Sequence, residues 1–326
     1  MKIVVIGLGS MGKRRLKLLI GEYKNIEIIG VDLDLKRRKF VEDNFKIKTY
    51  EDLEVAVRAE KPNAAVISTS PLSHSKIILK CLDLGLHVFT EINLVNDNYS
   101  EIIKIANDKN LELFLSSTQL YREEIKEIER RVSACNQKVN YIYHIGQYLP
   151  DWHPWESYKD FFVNDKRTNG CRELFAIELP WIIKVFGKIK DLTVKKDKIS
   201  NLELNYNDSY LCILEHENGN KGIVSVDVVS RKAVSNLEIY GEELHLTWEG
   251  TPDTLKALNI DSKMIEQINT YKDIEKDNRY ADNIIENPYL EELKTYVNKI
   301  NGIDEVRYTF EDDLYTLSIV DKIEEE

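Results

Sequence analysis

Runs of β-branched residues alternate with helix-period segments through the first third of the chain. The first run, residues 2–6, is apolar after its lysine, as expected for a buried parallel strand, and a glycine-rich segment ends it. Five more strands are predicted at 26–31, 46–49, 64–68, 86–90 and 111–116, with helices between them at 11–20, 36–45, 53–60, 73–83 and 99–109. This alternation predicts an α/β domain with a doubly wound parallel sheet, the Rossmann arrangement.

The pattern changes after residue 120. A charged helix is predicted at 121–132, a strand at 141–148 and a helix at 171–186; period-two runs follow at 192–194, 210–215, 222–229, 235–240 and 244–248, and the chain closes with helices at 289–300 and 311–325. A hairpin turn is indicated by Asn218-Gly219-Asn220. Strands gathered after one helix predict an α+β domain with a mostly antiparallel open sheet.

Length and composition set the broad class. A chain of 326 residues favours two domains, which we place at 1–120 and 121–326, with a terminal helix able to pack back on the first. A net charge of −11 argues against a nucleic-acid partner, and no apolar stretch is long enough to span a membrane. The four cysteines are too far apart for a metal or redox site. We therefore expect a cytoplasmic protein without metal, nucleic-acid or membrane partners.

The glycine-rich segment that ends the first strand carries the first chemical signal. It matches the pattern G-x-G-x-x-G and reads Gly7-Leu8-Gly9-Ser10-Met11-Gly12. In this pattern the first glycine allows a tight turn, the second lets the backbone approach a pyrophosphate, and the third permits close helix–strand packing. The N-terminus of the following helix then offers N–H groups to the phosphates.

Asp32 ends the second predicted strand, 20 residues after Gly12. A carboxylate at this place accepts both ribose hydroxyls and repels a 2′-phosphate, which favours NAD as the cofactor. Arg37 and Arg38 keep NADP as the alternative, because a nearby arginine can accept the 2′-phosphate.

With these residues in place, the chain resembles the glucose–fructose oxidoreductase and inositol dehydrogenase family (Gfo/Idh/MocA) over essentially its whole length. The segments that carry the resemblance are 7–15 (GLGSMGKRR), 62–71 (PNAAVISTSP) with His74, 84–91 (LGLHVFTE), 117–120 (STQL), 150–158 (PDWHPWESY) and 289–303. The resemblance implies an NAD(P)-dependent oxidoreductase that acts on a sugar, sugar nucleotide or related small molecule. It also implies a homodimer or homotetramer that assembles through the open sheet.

The same resemblance places five further residues beside the cofactor: Ser70, Pro71, His74, Glu91 and Gln119. Without it, a lone histidine at a helix start is more often a cap or a surface residue. A glutamate at a strand end can equally be solvent-exposed.

The departures from the family pattern concern proton transfer. Ile92 stands where relatives carry a lysine, and Leu174 and Ile177 lie within a residue of the slots for an aspartate and a histidine. None of these three hydrocarbon side chains can move a proton. If the protein is catalytic, other groups must carry it.

Two candidates replace the missing groups, and each has a structural alternative. Glu178 interrupts an apolar helix stripe, so burial should raise its pKa and allow it to act as a general acid or base. The structural alternative is a buried glutamate that is paired to Arg172 or another cation. Its neighbour Glu173 is interpreted as solvated, and Pro180 is expected to kink the helix. His153 lies in the Trp- and Pro-rich loop at 151–156, which either contacts a sugar ring or clasps the second domain.

Three functions stay open at this point. The leading one is hydride transfer between NAD and a carbohydrate-like substrate. Loss of the lysine and histidine supports a non-catalytic dinucleotide-binding sensor or assembly subunit instead. Reduction of an imine or conjugated ligand is the third, since such a substrate supplies more of its own acid–base chemistry.

Overall fold

The chain divides into two units, each built on one β-sheet. In this computed structural model, residues 1–153, 156–276 and 284–326 are described. The first unit combines Met1–Thr118 with Pro288–Leu314, and the second combines Gln119–Asn287 with Tyr315–Glu326.

The first unit contains a parallel sheet of six strands in the order β3-β2-β1-β4-β5-β6. Its strands are β1 (Lys2–Ile6), β2 (Glu27–Val31), β3 (Thr49–Tyr50), β4 (Ala64–Ile67), β5 (His87–Thr90) and β6 (Leu113–Leu115). The helices between them are α1 (Ser10–Glu22), α2 (Leu35–Phe45), α3 (Leu53–Glu60), α4 (Pro71–Asp83) and α5 (Tyr99–Lys109). The strand order reverses between β1 and β4, which is the doubly wound arrangement predicted from the sequence.

The central strands of this sheet are covered on both faces. Residues 3–6 of β1 and all of β4 are buried, which explains why these strands are continuous apolar runs. Helix α8 (Asn287–Ile300) supplies part of the cover: Tyr296 packs edge-on against Phe89 and Phe114, and its hydroxyl donates to the Ala65 carbonyl at 3.1 Å. A segment remote in sequence therefore completes the first core.

The second unit contains an eight-stranded sheet in the order β14-β13-β12-β11-β7-β10-β9-β8, in which β7 and β10 form the parallel pair. The strands are β7 (Asn140–Gly146), β8 (Ile189–Asp197), β9 (Ser209–His216), β10 (Lys221–Asp227), β11 (Val234–Tyr240), β12 (His245–Trp248), β13 (Lys256–Leu258) and β14 (Ile265–Gln267). The helices are α6 (Glu123–Ala134), α7 (Gly170–Phe186) and, from Tyr315 onward, α9 (Phe310–Glu325). The predicted α+β fold with a mostly antiparallel sheet is confirmed, as is the β9–β10 hairpin, where Gly219 takes φ +89°.

The two faces of this sheet differ in their cover. On one face α7 packs against it, with Phe186 stacked on Tyr141 at 3.9 Å and Trp181 edge-on to Tyr143 at 5.2 Å. Pro180 lies inside α7, which runs on to Phe186. The other face exposes apolar side chains at neighbouring register positions, because Ile223 of β10 pairs with both Ile213 of β9 and Ile142 of β7.

Candidate functional site

The glycine-rich loop between β1 and α1 is fixed by packing at its first and last glycines. Gly7 has φ +87°, and a Cβ there would lie 2.6 Å from the Ser68 carbonyl oxygen. A Cβ on Gly12 would lie 1.8 Å from the Gly7 carbonyl oxygen. Both positions require glycine, for the turn and for the close helix–strand approach.

The middle glycine of the loop has open space instead. A Cβ on Gly9 would meet no described atom closer than the Arg37 Nη1 atom, at 3.8 Å. Gly9 is also the N-cap of α1, with no side-chain capping bond and no acidic residue in the first turn. The start of α1 therefore presents a positive dipole end and a backbone surface that an anion can approach, and this cradle fits a dinucleotide pyrophosphate.

Asp32 lies at the end of β2 with both carboxylate oxygens oriented by the backbone. Its Oδ2 accepts from the Leu8 N–H at 2.7 Å, and its Oδ1 accepts from the Asp34 N–H at 2.8 Å. Arg37 approaches Oδ2 at 3.7 Å with a half-exposed side chain, whereas Arg38 donates to the Asp32 carbonyl at 2.7 Å. The carboxylate is held beside the loop, with one arginine near it.

Glu91 at the end of β5 belongs to a buried charge cluster that the sequence reasoning missed. Arg15 of α1 donates to both Glu91 oxygens, at 2.7 and 3.1 Å, and to Glu292 of α8 at 2.8 Å. Glu292 also accepts from the Ser116 hydroxyl and the Ser117 N–H. Burial raises the pKa of Glu292, against the opposing effect of Arg15. The sequence offered one sign of this cluster: Arg15 is a charged residue next to Leu16 on the apolar side of α1.

His74 is buried in the first unit, so the surface and cap interpretations of it are wrong. Its Nδ1 lies 2.7 Å from the Asn93 side-chain oxygen and its Nε2 lies 2.9 Å from the Thr69 carbonyl. Burial lowers the pKa of the imidazole. Because both ring nitrogens are engaged, His74 fixes the loop that contains Ser70 and Pro71, the N-cap and first residue of α4.

Glu178 in α7 is surrounded by hydrogen-bond donors. Its Oε2 accepts from Tyr143 at 2.8 Å and Trp181 at 2.5 Å, and its Oε1 accepts from the Gln119 amide at 3.1 Å. Burial raises its pKa against the effect of these three donors. The suggested pairing with Arg172 is wrong, because Arg172 binds Asp321 and Glu324.

Gln119, which the family resemblance placed beside the cofactor, lies in a short 3₁₀ helix (Thr118–Tyr121) and donates to Glu178. Its Oε1 is buried and has no hydrogen-bond partner among the described residues. Since a buried acceptor without a partner is costly, this oxygen is available to a donor from outside the protein.

The expectation that Glu173 is solvated is wrong. Its Oε2 is buried and has no hydrogen-bond partner in the described part of the chain, and burial raises its pKa to about 8. Glu173 lies in the first turn of α7, and the sequence pattern gave no sign that its carboxylate is buried.

His153 is half-buried in the loop that follows β7. Its Nδ1 lies 2.7 Å from Glu156 Oε1, and its ring stacks on Phe161 at 4.6 Å. Trp152 donates to the Gln147 carbonyl at 3.1 Å. The other loop tryptophan, Trp155, and Pro154 lie outside the described residues. This bond ties Trp152 to the segment just before the loop, and both interpretations of the loop, a sugar contact through His153 or a clasp by the two tryptophans, stay predictions.

Across residues 1–153, 156–276 and 284–326, no cluster of His, Cys, Asp or Glu side chains could hold a metal ion. Within the same ranges no helix is both long and apolar enough to cross a membrane.

The comparisons with known proteins agree with this geometry. The model of the Gfo/Idh/MocA family, described as an oxidoreductase family with an NAD-binding Rossmann fold, matches residues 1–115. No curated protein matches the sequence.

Solved structures share the fold over nearly the whole chain. An oxidoreductase from Agrobacterium radiobacter, in complex with NAD⁺, L-tartaric acid and magnesium, aligns at TM-score 0.80 and 16% identity, covering 98% of this chain and 94% of that one. The myo-inositol 2-dehydrogenase of Lactobacillus plantarum aligns at 0.79 and 14%, covering 100% and 96%. The UDP-N-acetylglucosamine 3-dehydrogenase of Acidithiobacillus ferrooxidans aligns at 0.78 and 12%, covering 99% and 96%.

A doubly wound sheet with a glycine-rich loop before the first helix is the architecture of a dinucleotide-binding domain. The likeness to the Gfo/Idh/MocA family thus rests on residues 1–115, and the chain as a whole shares the fold of the solved structures named above. The NAD-binding description of the family model agrees with the cofactor that the sequence predicts.

Proposed function

We propose that the protein is a cytoplasmic NAD-dependent dehydrogenase whose substrate is a sugar, a sugar nucleotide or an inositol-like polyol. The observation that carries this is the open backbone cradle at Gly9 beside the oriented carboxylate of Asp32. The substrate class is supported by the fold shared with an inositol dehydrogenase and a UDP-sugar dehydrogenase. When bound, NAD supplies the hydride acceptor or donor, and the protein supplies position and proton transfer.

Separate groups of residues would bind the different parts of the cofactor. The start of α1 and residues 7–12 would hold the pyrophosphate, and Asp32 would accept the ribose hydroxyls. The loop with Ser70 and Pro71, fixed by His74, and Glu91, fixed by Arg15, would line the nicotinamide side of the cofactor.

The function is tested by screening myo-inositol, free hexoses and UDP-sugars for NAD⁺ reduction, followed at the NADH absorbance. Turnover of a hydroxylated substrate supports the dehydrogenase. If NADH binds well and none of these compounds reacts, the non-catalytic sensor is favoured.

NADH should bind at least tenfold more tightly than NADPH, a difference of about 1.4 kcal/mol. The reason is that the Asp32 carboxylate accepts ribose hydroxyls but repels a 2′-phosphate. Fluorescence titration with both reduced cofactors measures the ratio. Equal affinity, or a preference for NADPH, would show that Arg37 governs the choice; in that event Arg37→Gln should weaken NADPH and leave NADH unchanged.

We further propose that the protein is a homodimer or homotetramer that buries the apolar sheet row of Ile142, Ile213 and Ile223. Exposed isoleucines on three adjacent strands form a contiguous apolar surface, which is typical of an interface. Ile223→Lys should therefore shift the mass in light scattering at micromolar concentration to the 38.0 kDa monomer. The matched control is Ile199→Lys, which alters an exposed loop isoleucine and should keep the oligomer. A monomeric wild-type protein would contradict this proposal.

A further inference from the structure

A chain of four hydrogen bonds within the first unit joins the loop after β4 to the start of α9. The His74 Nε2 atom lies 2.9 Å from the Thr69 carbonyl oxygen, and its Nδ1 atom lies 2.7 Å from Asn93 Oδ1. The Asn93 amide nitrogen donates to the Tyr99 hydroxyl at 2.7 Å, and this hydroxyl donates to Asp313 Oδ2 at 2.5 Å. All four side chains, those of His74, Asn93, Tyr99 and Asp313, are at most 3% exposed.

The Asp313 carboxylate sets the direction of every hydrogen bond in this chain. It accepts from a second phenol, since the Tyr308 hydroxyl donates to Oδ1 at 2.9 Å, and it lies in the first turn of α9, where the helix dipole favours a negative charge. Because a carboxylate only accepts, Tyr99 gives its one hydrogen to Asp313 and accepts from the Asn93 amide nitrogen. The oxygen of the same amide is therefore the atom that faces His74.

His74 thus lies between two oxygens that cannot donate. The Asn93 side-chain oxygen and the Thr69 carbonyl are both acceptors, whereas a neutral imidazole has one N–H and one lone pair. A neutral ring would set a nitrogen lone pair against an oxygen lone pair at 2.7 or 2.9 Å, and would leave a buried acceptor without its bond. An imidazolium, with a hydrogen on each nitrogen, makes both bonds.

Burial and the neighbouring groups act on the charged ring in opposite directions. Burial lowers the pKa of His74, whereas the Asn93 and Thr69 oxygens and the Glu91 carboxylate raise it. Glu91 is itself ion-paired with Arg15. The hydrogen bonds outweigh burial here, because bonds from a charged donor are about twice as strong as neutral ones and both acceptors are already in place.

His216 of the second unit shows the opposite case at similar burial. Its Nδ1 atom lies 2.6 Å from the Gly187 carbonyl oxygen, and its Nε2 atom lies 2.9 Å from the Tyr141 hydroxyl. Because a hydroxyl both donates and accepts, a neutral ring makes both bonds: Nδ1–H donates to Gly187, and Nε2 accepts from Tyr141. Burial lowers the pKa of His216 as well, and these two partners require no second hydrogen.

We propose that His74 is an imidazolium in the folded protein, and that the chain ending at Asp313 holds it in this form. The charged ring is then a positioning residue of the cofactor site, because its Nε2–H fixes the backbone of the loop at 69–71, which is proposed to line the nicotinamide side of NAD. This second step rests on the proposed function, whereas the charge of the ring does not.

The charge of the ring is measured by nuclear magnetic resonance on protein with ¹⁵N-labelled histidine, at about pH 7.5, where an ordinary histidine is mostly neutral. His74 should show two ring N–H groups, and the matched control His216 should show one. The variant His74→Gln identifies the signals of His74 by their loss. A single N–H group on His74 in the wild-type protein would overturn the proposal.

A substitution at the far end of the chain tests the coupling. In Asp313→Asn the new amide can donate to Tyr99, which frees the Tyr99 hydrogen for the Asn93 oxygen. The Asn93 amide nitrogen can then turn to His74, so a neutral ring makes both bonds and one of its two N–H groups should be lost. Asp312→Asn, an exposed position on the same helical turn, should leave both groups in place. Two N–H groups on His74 in Asp313→Asn would overturn the proposal. If that variant does not fold, Tyr99→Phe replaces it with the same expected result, because it also releases the Asn93 amide.

NADH titration of the same variants tests the positioning role. The affinity should fall about threefold or more where His74 has become neutral, because a neutral donor holds the loop carbonyl less strongly, and it should stay unchanged in Asp312→Asn. Unchanged affinity in a variant that has lost one N–H group would overturn the positioning role. If the wild-type protein binds no NADH, the proposed function fails and the positioning role fails with it, while the resonances still decide the charge of His74.

Discussion

Replacing Arg15 by methionine is expected to destabilise the protein by about 3–5 kcal/mol, the usual cost of leaving a buried charge without its partner. Arg15 is fully buried and neutralises two carboxylates, those of Glu91 and Glu292. Methionine fills much of the same volume, so the loss reports on charge more than on packing. Denaturant unfolding of the two proteins at pH 8 gives the difference in free energy.

The pH dependence of this loss separates charge from packing. Burial raises the pKa of Glu292 and Arg15 opposes this effect, so without Arg15 the folded-state pKa of Glu292 should lie further above its value in the unfolded chain. Groups of this kind stabilise the fold in their protonated form, and that contribution is lost as the pH rises through the folded-state pKa. The deficit of Arg15→Met should therefore be smaller at pH 5 than at pH 8. A deficit that does not change with pH would contradict the account.

The matched control is Arg130→Met, which removes an exposed arginine bound to Glu127 on the surface of α6. Exposed pairs contribute from 0 to about 1 kcal/mol, so this variant should unfold almost like the wild type. Arg15→Lys keeps the charge but loses the two-point contact with Glu91, and it should fall between the other two variants.

Two alanine substitutions in the glycine-rich loop should have opposite consequences. Gly12→Ala places a Cβ 1.8 Å from the Gly7 carbonyl oxygen, so the backbone must separate; we expect a loss of about 3 kcal/mol or more in unfolding free energy, or failure to fold. Gly9→Ala meets no atom within 3.8 Å and should fold normally. Its added methyl occupies the space a pyrophosphate needs, so NADH affinity should drop at least tenfold. Thermal unfolding and NADH fluorescence titration measure both effects.

Normal NADH affinity in Gly9→Ala would show that the cofactor does not approach this glycine. Normal stability in Gly12→Ala would show that α1 can shift away from β1 more easily than the packing indicates. The first result concerns the cofactor contact at Gly9, and the second concerns the packing of α1 against β1.

The elements that the sequence predicted are those whose conformation depends on residues close together in the chain. The alternation of apolar runs with helical periods, together with Gly7, Gly12 and Asp32, was enough to predict the Rossmann domain, because turn geometry and strand burial are encoded within a few neighbouring residues. The hairpin at Gly219 was predicted for the same reason. Many element ends shifted by one or two residues, as at α6, which begins at Glu123 instead of residue 121, and β8 extends three residues beyond the predicted run at each end.

The parts that could not be predicted depend on contacts between distant segments. Arg15 and Glu292 are 277 residues apart, and no periodicity connects them. The same holds for Glu173, whose burial depends on cover that a helical pattern does not reveal. The donors around Glu178 could not be foreseen either, because Tyr143 and Gln119 come from other elements. The burial of Glu178 was predictable from the helical pattern, whereas its hydrogen-bond partners were not.

Because residues 288–314 complete the core of the first unit, the order of synthesis on the ribosome differs from the order in which the cores can close. The nascent Rossmann sheet emerges with Phe89 and Phe114 lacking the side chain of Tyr296, which is made only after the whole central segment has been translated. At roughly 5–20 residues per second, that wait is on the order of ten seconds or more. During this interval the apolar surface of β5 and β6 is open to chaperones, and a chain that stops before residue 288 would leave it open permanently.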